Sequence, residues 1–169
     1  WDFFMAELTT NINYLQPTAF KLVIDRKKFG NLEYFAQAVN HPSVSVAAAD
    51  LQYKRVNLHM AGDKLTFNEL TATIILDENL SAYSEMYDWM KRLVESPNQT
   101  KTFGEGGDYS TAVDITLSVL SSKNNAVKQI RYIDCVPTEL GDISFEATTQ
   151  DVQMLTFPIS FRFSYFELV

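Results

Sequence analysis

The sequence has one cysteine, two histidines and no long hydrophobic run, and each shortage closes off a class of function. A lone Cys135 cannot form an internal disulfide, so a reducing compartment is the simpler setting. His41 and His59 have no Cys, His or carboxylate at ligand spacing, so no metal centre is expected. No stretch approaches the ~18 apolar residues of a membrane-spanning helix, and insertion into a membrane is not expected. Residues 1–8 lack the basic segment and long apolar core of a secretion signal. Glycine and proline are scarce, at 6 and 5 of 169 residues, while aromatic residues make up 13%, which argues for one folded domain rather than disorder. Basic residues are outnumbered 14 to 21, for a net charge of −7. Gripping nucleic acid needs clusters of Lys and Arg, so that function is disfavoured.

A catalytic set is also missing. Gly104-Glu105-Gly106-Gly107 has the glycines of a phosphate loop but neither the Lys-Ser/Thr ending nor a following helix, and reads as a turn. No base accompanies Cys135, which reads as a buried structural thiol. Asp77, Glu78 and Asp134 lie near strand ends with no acid–base pairing to be read from them. Asn98-Gln99-Thr100 fits the glycosylation pattern and, without a secretion signal, is expected to be unused. No enzyme activity and no cofactor are expected.

What the sequence does hold is amphipathic strand. From Leu155 to Tyr165, the residues Phe157, Ile159, Phe161, Phe163 and Tyr165 alternate with Thr156, Pro158, Ser160, Arg162 and Ser164. A period of two sends these sets to opposite faces, so this strand is the expected spine of the core. Pro158 cannot donate to a ladder and calls for a free edge or a bulge. Earlier strands are expected over Ala19–Asp25 and Leu32–Val39, joined as a hairpin through a turn at Arg26–Asn31. Further strands are expected at Leu70–Leu76, Thr111–Leu120, Val127–Cys135 and Asp142–Thr148, with a turn at Ala61–Lys64 and a connector at Val136–Gly141. Between His41 and Met60 two readings stay open: a second hairpin within the core, or a long excursion that meets another chain.

One helix is predicted over Ser81–Glu95, with Ser81 as N-cap and Tyr83, Met86, Tyr87, Met90, Leu93 and Val94 as its apolar stripe. Seven or eight strands and one helix without βαβ alternation predict a mainly β fold, an antiparallel sandwich or barrel with a flanking α-helix.

Two stretches carry a family resemblance. One is Met60-Ala61-Gly62-Asp63-Lys64, then Phe67 and Leu70-Thr71-Ala72-Thr73-Ile74. The other runs from Val136-Pro137-Thr138-Glu139-Leu140-Gly141-Asp142-Ile143 to Leu155–Phe161 and Tyr165-Phe166-Glu167. With Pro17-Thr18-Ala19-Phe20 and the intervening helix, this order resembles the tail tube proteins of contractile-tailed bacteriophages, which are related to the tubes of type VI secretion systems and bacteriocins. The resemblance implies one tail-tube domain over residues 1–169 with an apolar arm at 1–16. It implies hexameric rings that stack into a hollow tube, located in the virion tail and assembled in the host cytoplasm. The implied partners are other copies of the chain, a sheath protein outside, tape-measure protein and DNA in the lumen, and baseplate and terminator at the ends. A baseplate tube-initiator role, a secretion-system tube and a small-ligand-binding barrel are the alternatives.

Within that frame, Trp1, Phe3, Phe4, Val44, Val46, Leu51 and Tyr53 are the expected contacts between subunits or rings, on their apolar character. The arm could instead cover the domain's own core. Asp114, Thr116 and Ser118, on the polar face of the Thr111–Leu120 strand, are the expected lumen-facing residues.

Overall fold

The computed structural model describes residues 14–24, 36–95, 112–147 and 154–169. They form nine strands and one helix: β1 (Phe20–Val23), β2 (Ala36–Asn40), β3 (Val44–Tyr53), β4 (Val56–Phe67), β5 (Leu70–Ile75), α1 (Ser81–Glu95), β6 (Val113–Leu120), β7 (Ala126–Leu140), β8 (Thr156–Arg162) and β9 (Tyr165–Leu168). Every strand pairing is antiparallel. The body follows the order β1-β6-β7-β8-β5-β2, with β9 also on β7, while β3 and β4 make a separate two-stranded sheet.

The long strand β7 belongs to both layers of the body. Its first half pairs with β6 and β9, and its second half with β8. The change of layer falls at Asp134, whose φ of 55° puts a non-glycine residue in the left-handed region, beside a register shift opposite β6. Opposite this point the chain leaves β8, passes Phe163 and Ser164, and resumes as β9 on the first layer. The expected continuous strand to Tyr165 is therefore two strands. Phe157, Ile159 and Phe161 are buried, Phe163 half-buried and Tyr165 exposed, because the break rotates the alternation away from the core.

Leu22, Ile24, Leu70, Ile74, Ile115, Tyr132 and Cys135 complete the core between the layers. The helix closes one side. Trp89 lies 5.8 Å from Phe161 and Tyr83 lies 5.5 Å from Phe157, ring centre to ring centre. Its buried stripe is Ala82, Met86 and Trp89 with Tyr83, Met90 and Leu93 at the margin, whereas Tyr87 and Val94 face solvent. The helix start is capped from outside: the Ser81 N–H donates to Asp77 Oδ1 at 2.7 Å. Hydrogen bonding from Ser81 holds the Asp77 carboxyl below its usual range.

Several local expectations are corrected. β1 and β2 do not pair with each other but sit at opposite ends of the strand order, since each finds its partner far away, in β6 and β5. Residues 25–35, where the intervening turn was expected, lie outside the described residues. Ala61–Lys64 is not a turn but the middle of β4. Val136–Leu140 is not a connector but the second half of β7. No strand forms over 142–147. Pro158 sits on the interior strand β8, with its carbonyl accepting the Gly141 N–H just past the end of β7. The side on which an N–H would be missed therefore faces the point where the ladder runs out.

Candidate functional site

The stretch from Val44 to Phe67 is a projecting hairpin turned at Lys54–Arg55, with Lys54 at φ 55°. All ten residues of β3 are exposed, as are ten of the twelve in β4. The reading of a hairpin within the core is thereby excluded. The excursion is held firmly at its base. The Asn68 N–H donates to the Ser43 carbonyl at 3.1 Å, and Asn68 Nδ2 donates to Ser43 Oγ at 2.6 Å. Phe67 packs on Phe163 and Phe166, with ring centres 5.6 and 5.5 Å apart. His41, just ahead of β3, makes a 2.6 Å hydrogen bond through Nδ1 with the buried Tyr132 hydroxyl and meets the Phe166 ring edge-on at 5.0 Å. Burial lowers the His41 pKa and raises that of Tyr132, so both groups are neutral in this clasp at neutral pH.

Beyond its base the hairpin is irregular for one step. Ala48 is opposite Ala61 and Val46 opposite Leu65, so Ala47 faces three residues of β4. Gly62 sits at this bulge, where a Cβ would lie 1.9 Å from the Ala47 carbonyl oxygen. Only glycine allows that approach.

The distal half has two unlike faces. Tyr53↔Val56, Leu51↔Leu58 and Ala49↔Met60 are register partners on one side. Gln52↔Asn57 and Asp50↔His59 are partners on the other, where His59 Nδ1 lies 2.6 Å from Asp50 Oδ1. The five large apolar residues of the first side are 51–65% exposed. The Lys54 ammonium lies 5.6 Å over the Tyr53 ring. Val44 and Val46, by alternation, fall on the side opposite to Leu51 and Tyr53, with Leu65 and Phe67 as partners. The four expected contact residues of this segment thus divide between two faces. Trp1, Phe3 and Phe4 lie outside the described residues, as does the Gly104–Gly107 loop.

The second candidate surface is the outward face of the first layer. Across it run Lys21↔Ser118↔Gln129 and Val23↔Thr116↔Arg131↔Glu167. Asp114 is exposed on this face and Thr116 half-exposed, but Ser118 is only 5% exposed. Ser118, the third residue expected to face the lumen, is buried within the single chain, with Lys21 and Gln129 flanking it in register. Asp114 has two partners. Its Oδ1 accepts the N–H of Asp134 at 3.2 Å, and its Oδ2 lies 3.6 Å from Arg131 Nη2. This face is therefore of mixed sign around Asp114, which spacing along one strand could not reveal because Arg131 comes from the neighbour.

Asn98-Gln99-Thr100 also lies outside the described residues. Cys135 is buried, and burial pushes its thiol up to about 12. Among the described residues no group of three or more His, Cys, Asp or Glu is placed to hold a metal. No described helix is long and apolar enough to cross a membrane.

A family model for phage tail tube protein matches residues 3–168. No curated protein matches the sequence significantly. Among solved structures, a chain of an extracellular contractile injection system, the PVC sheath–tube complex in its extended state, is similar at a TM-score of 0.67 and 14% identity, covering 96% of this chain and 99% of that one. A chain of the anti-feeding prophage cap, described as a tube terminating cap, is similar at 0.67 and 12%, covering 98% and 97%. An Hcp protein is similar at 0.50 and 8%, covering 85% and 88%. At such identities these likenesses are likenesses of fold.

Proposed function

The chain belongs to the phage tail tube protein family, and from that premise we propose that it is the structural protomer of a hollow tube in a contractile phage tail. Six copies close into a ring, rings stack, and DNA and the tape-measure protein pass through the bore. A sheath surrounds the tube, and baseplate and terminator close its ends. The role needs no catalysis.

The projecting hairpin carries this reading. An isolated two-stranded hairpin is marginal in water, yet this one spans about 33 Å at ~3.3 Å per residue and leaves its apolar face without cover in one chain. Contiguous apolar surface of this kind marks an interaction site, and clamping at the Ser43–Asn68 base aims it away from the body. We assign Leu51 and Tyr53 to contact with a neighbouring ring, Val44 and Val46 to contact nearer the body, and Asp114 and Thr116 to the lumen wall. The ligand-carrier alternative is disfavoured at the centre of the fold, where Tyr132, Phe157, Ile159 and Phe161 fill the space between the layers.

Electron microscopy of the purified protein tests the proposal. Sixfold rings or stacked tubes are the expected result. A chain that stays monomeric at every concentration overturns it.

A further inference from the structure

We propose that Phe166 of β9 positions the projecting hairpin, so that whatever holds β9 in place also holds the hairpin's aim. The coupling is a property of one chain; its consequence for assembly rests on the tube reading.

The hairpin meets the body across a narrow hinge. It continues the paired strands β2 and β5, whose rungs at that end are Val39↔Ala72 and Asn40↔Thr71. The Ser43–Asn68 bonds join its two ends to each other, not to the body. Rings make the junction with the body. Phe166 lies 5.5 Å from Phe67, the last residue of β4, and 5.0 Å from His41, three residues ahead of β3. One side chain of β9 therefore touches both the chain that enters the hairpin and the chain that leaves it. Phe163, in the link between β8 and β9, lies 5.6 Å from Phe67. The His41–Tyr132 hydrogen bond holds the entering chain alone. The ion pair of Arg162 with Glu69, at 3.6 Å, is exposed and holds weakly. A small rotation at this hinge has a large effect: about 10° over the ~33 Å of β3 carries the tip by about 6 Å.

β9 is itself lightly held. It has four residues, and among the described residues it pairs with β7 alone. Phe166 is half-buried, while Tyr165, Glu167 and Leu168 are exposed. A short edge strand opens locally at low cost, and the backbone groups on its outer side are a template for a further strand. β1 and β9 are the outer strands of the first layer. A second copy that pairs along β9 as a ring closes therefore fixes Phe166, and through it the hairpin. Closure of one ring readies the hairpin for the next.

A reversible lock tests the coupling in the soluble protein. Gln129 and Val169 exchange both backbone hydrogen bonds, so the adjacent partners Ile130↔Leu168 form the close, non-hydrogen-bonded kind of pair that a disulfide can span. Cys135 is buried and takes no part. Oxidised Ile130→Cys/Leu168→Cys is expected to slow amide exchange in residues 44–46 and 65–68 several-fold relative to its reduced form, and adding Phe166→Ala is expected to remove the difference. Slowing confined to β7 and β9, or slowing that survives Phe166→Ala, overturns the coupling. In the otherwise native chain, Phe166→Ala should speed exchange of the same amides while those between β6 and β7 hold; unchanged exchange overturns the coupling as well. Micrographs of the same samples test its role in assembly. Oxidised chains should stack more readily than reduced ones, and equal growth of the two forms overturns that role. Folded chains that never form rings or tubes in either form overturn the tube reading and leave the coupling within one chain standing.

Discussion

Gly141 and Pro158 are locked together at the end of β7: the Gly141 N–H donates to the Pro158 carbonyl at 2.8 Å, and a Cβ on residue 141 would stand 2.2 Å from Pro158 Cγ. Gly141→Ala is therefore expected to destabilise the fold by about 1–3 kcal/mol, the usual cost of forcing extra volume into a packed site. Part of that loss should return in Gly141→Ala/Pro158→Ala, because the ring is one of the groups struck. A double-mutant cycle by denaturant unfolding measures the coupling, and strictly additive effects would contradict the contact.

Phe161 has no exposed surface and lies against Trp89 across the β8–α1 interface. Phe161→Ala is expected to cost about 3–5 kcal/mol. A loss below about 1 kcal/mol on denaturant unfolding would mean the site is not packed as described.

The hairpin separates folding from assembly. Leu51→Ser/Tyr53→Ser touches only exposed residues, so the unfolding free energy should hold within about 0.5 kcal/mol while tubes fail to grow. Gly62→Ala acts differently, since its Cβ would meet the Ala47 carbonyl and displace the β3–β4 register. It should abolish tubes and speed amide exchange in residues 44–67, with the body's exchange unchanged.

Asp114 has a local task as well as a charge. Because its Oδ1 accepts the Asp134 N–H at the left-handed bend, Asp114→Asn should keep stability, whereas Asp114→Lys strips the bend of its acceptor and should cost about 1 kcal/mol. If Asp114 lines the bore, Asp114→Lys also slows DNA ejection and Asp114→Asn does not. Equal thermal midpoints for the two variants would refute the capping role.

His41 predicts a pH dependence. Its folded pKa is depressed below the ordinary 6.5 by burial. Between the two values the unfolded chain binds more protons, so this contribution to stability is fully present above 6.5 and declines as pH falls through the folded value. Unfolding at about pH 7 and about pH 5 should therefore show a loss on acidification that His41→Phe lacks. An unchanged slope in the variant would assign the loss to other groups.

How far the sequence could be read depended on whether the deciding contact was local. The alternation through Phe157, Ile159 and Phe161 identified a core strand, because a period of two is a property of one segment and its buried face follows directly. The helix was legible for the same reason, although its buried edge runs through Ala82 and Trp89 rather than Tyr87 and Val94. Glycine and proline misled where their partner was distant. Gly62 resembles a turn residue but serves a bulge against Ala47, and Gly141 resembles a connector but makes room for Pro158.

By itself, then, the sequence determined the apolar face of the helix and of the β8 strand, the mainly β class and the family resemblance. Only the tertiary structure decided that β1 and β2 part company, that β7 serves two layers, that the hairpin from Val44 to Phe67 stands clear of the body, and that Arg131 neutralises Asp114 while Ser118 is covered. Strand pairing joins residues distant in the chain and is chosen by how two apolar faces close over a shared core. No window along the sequence contains both faces.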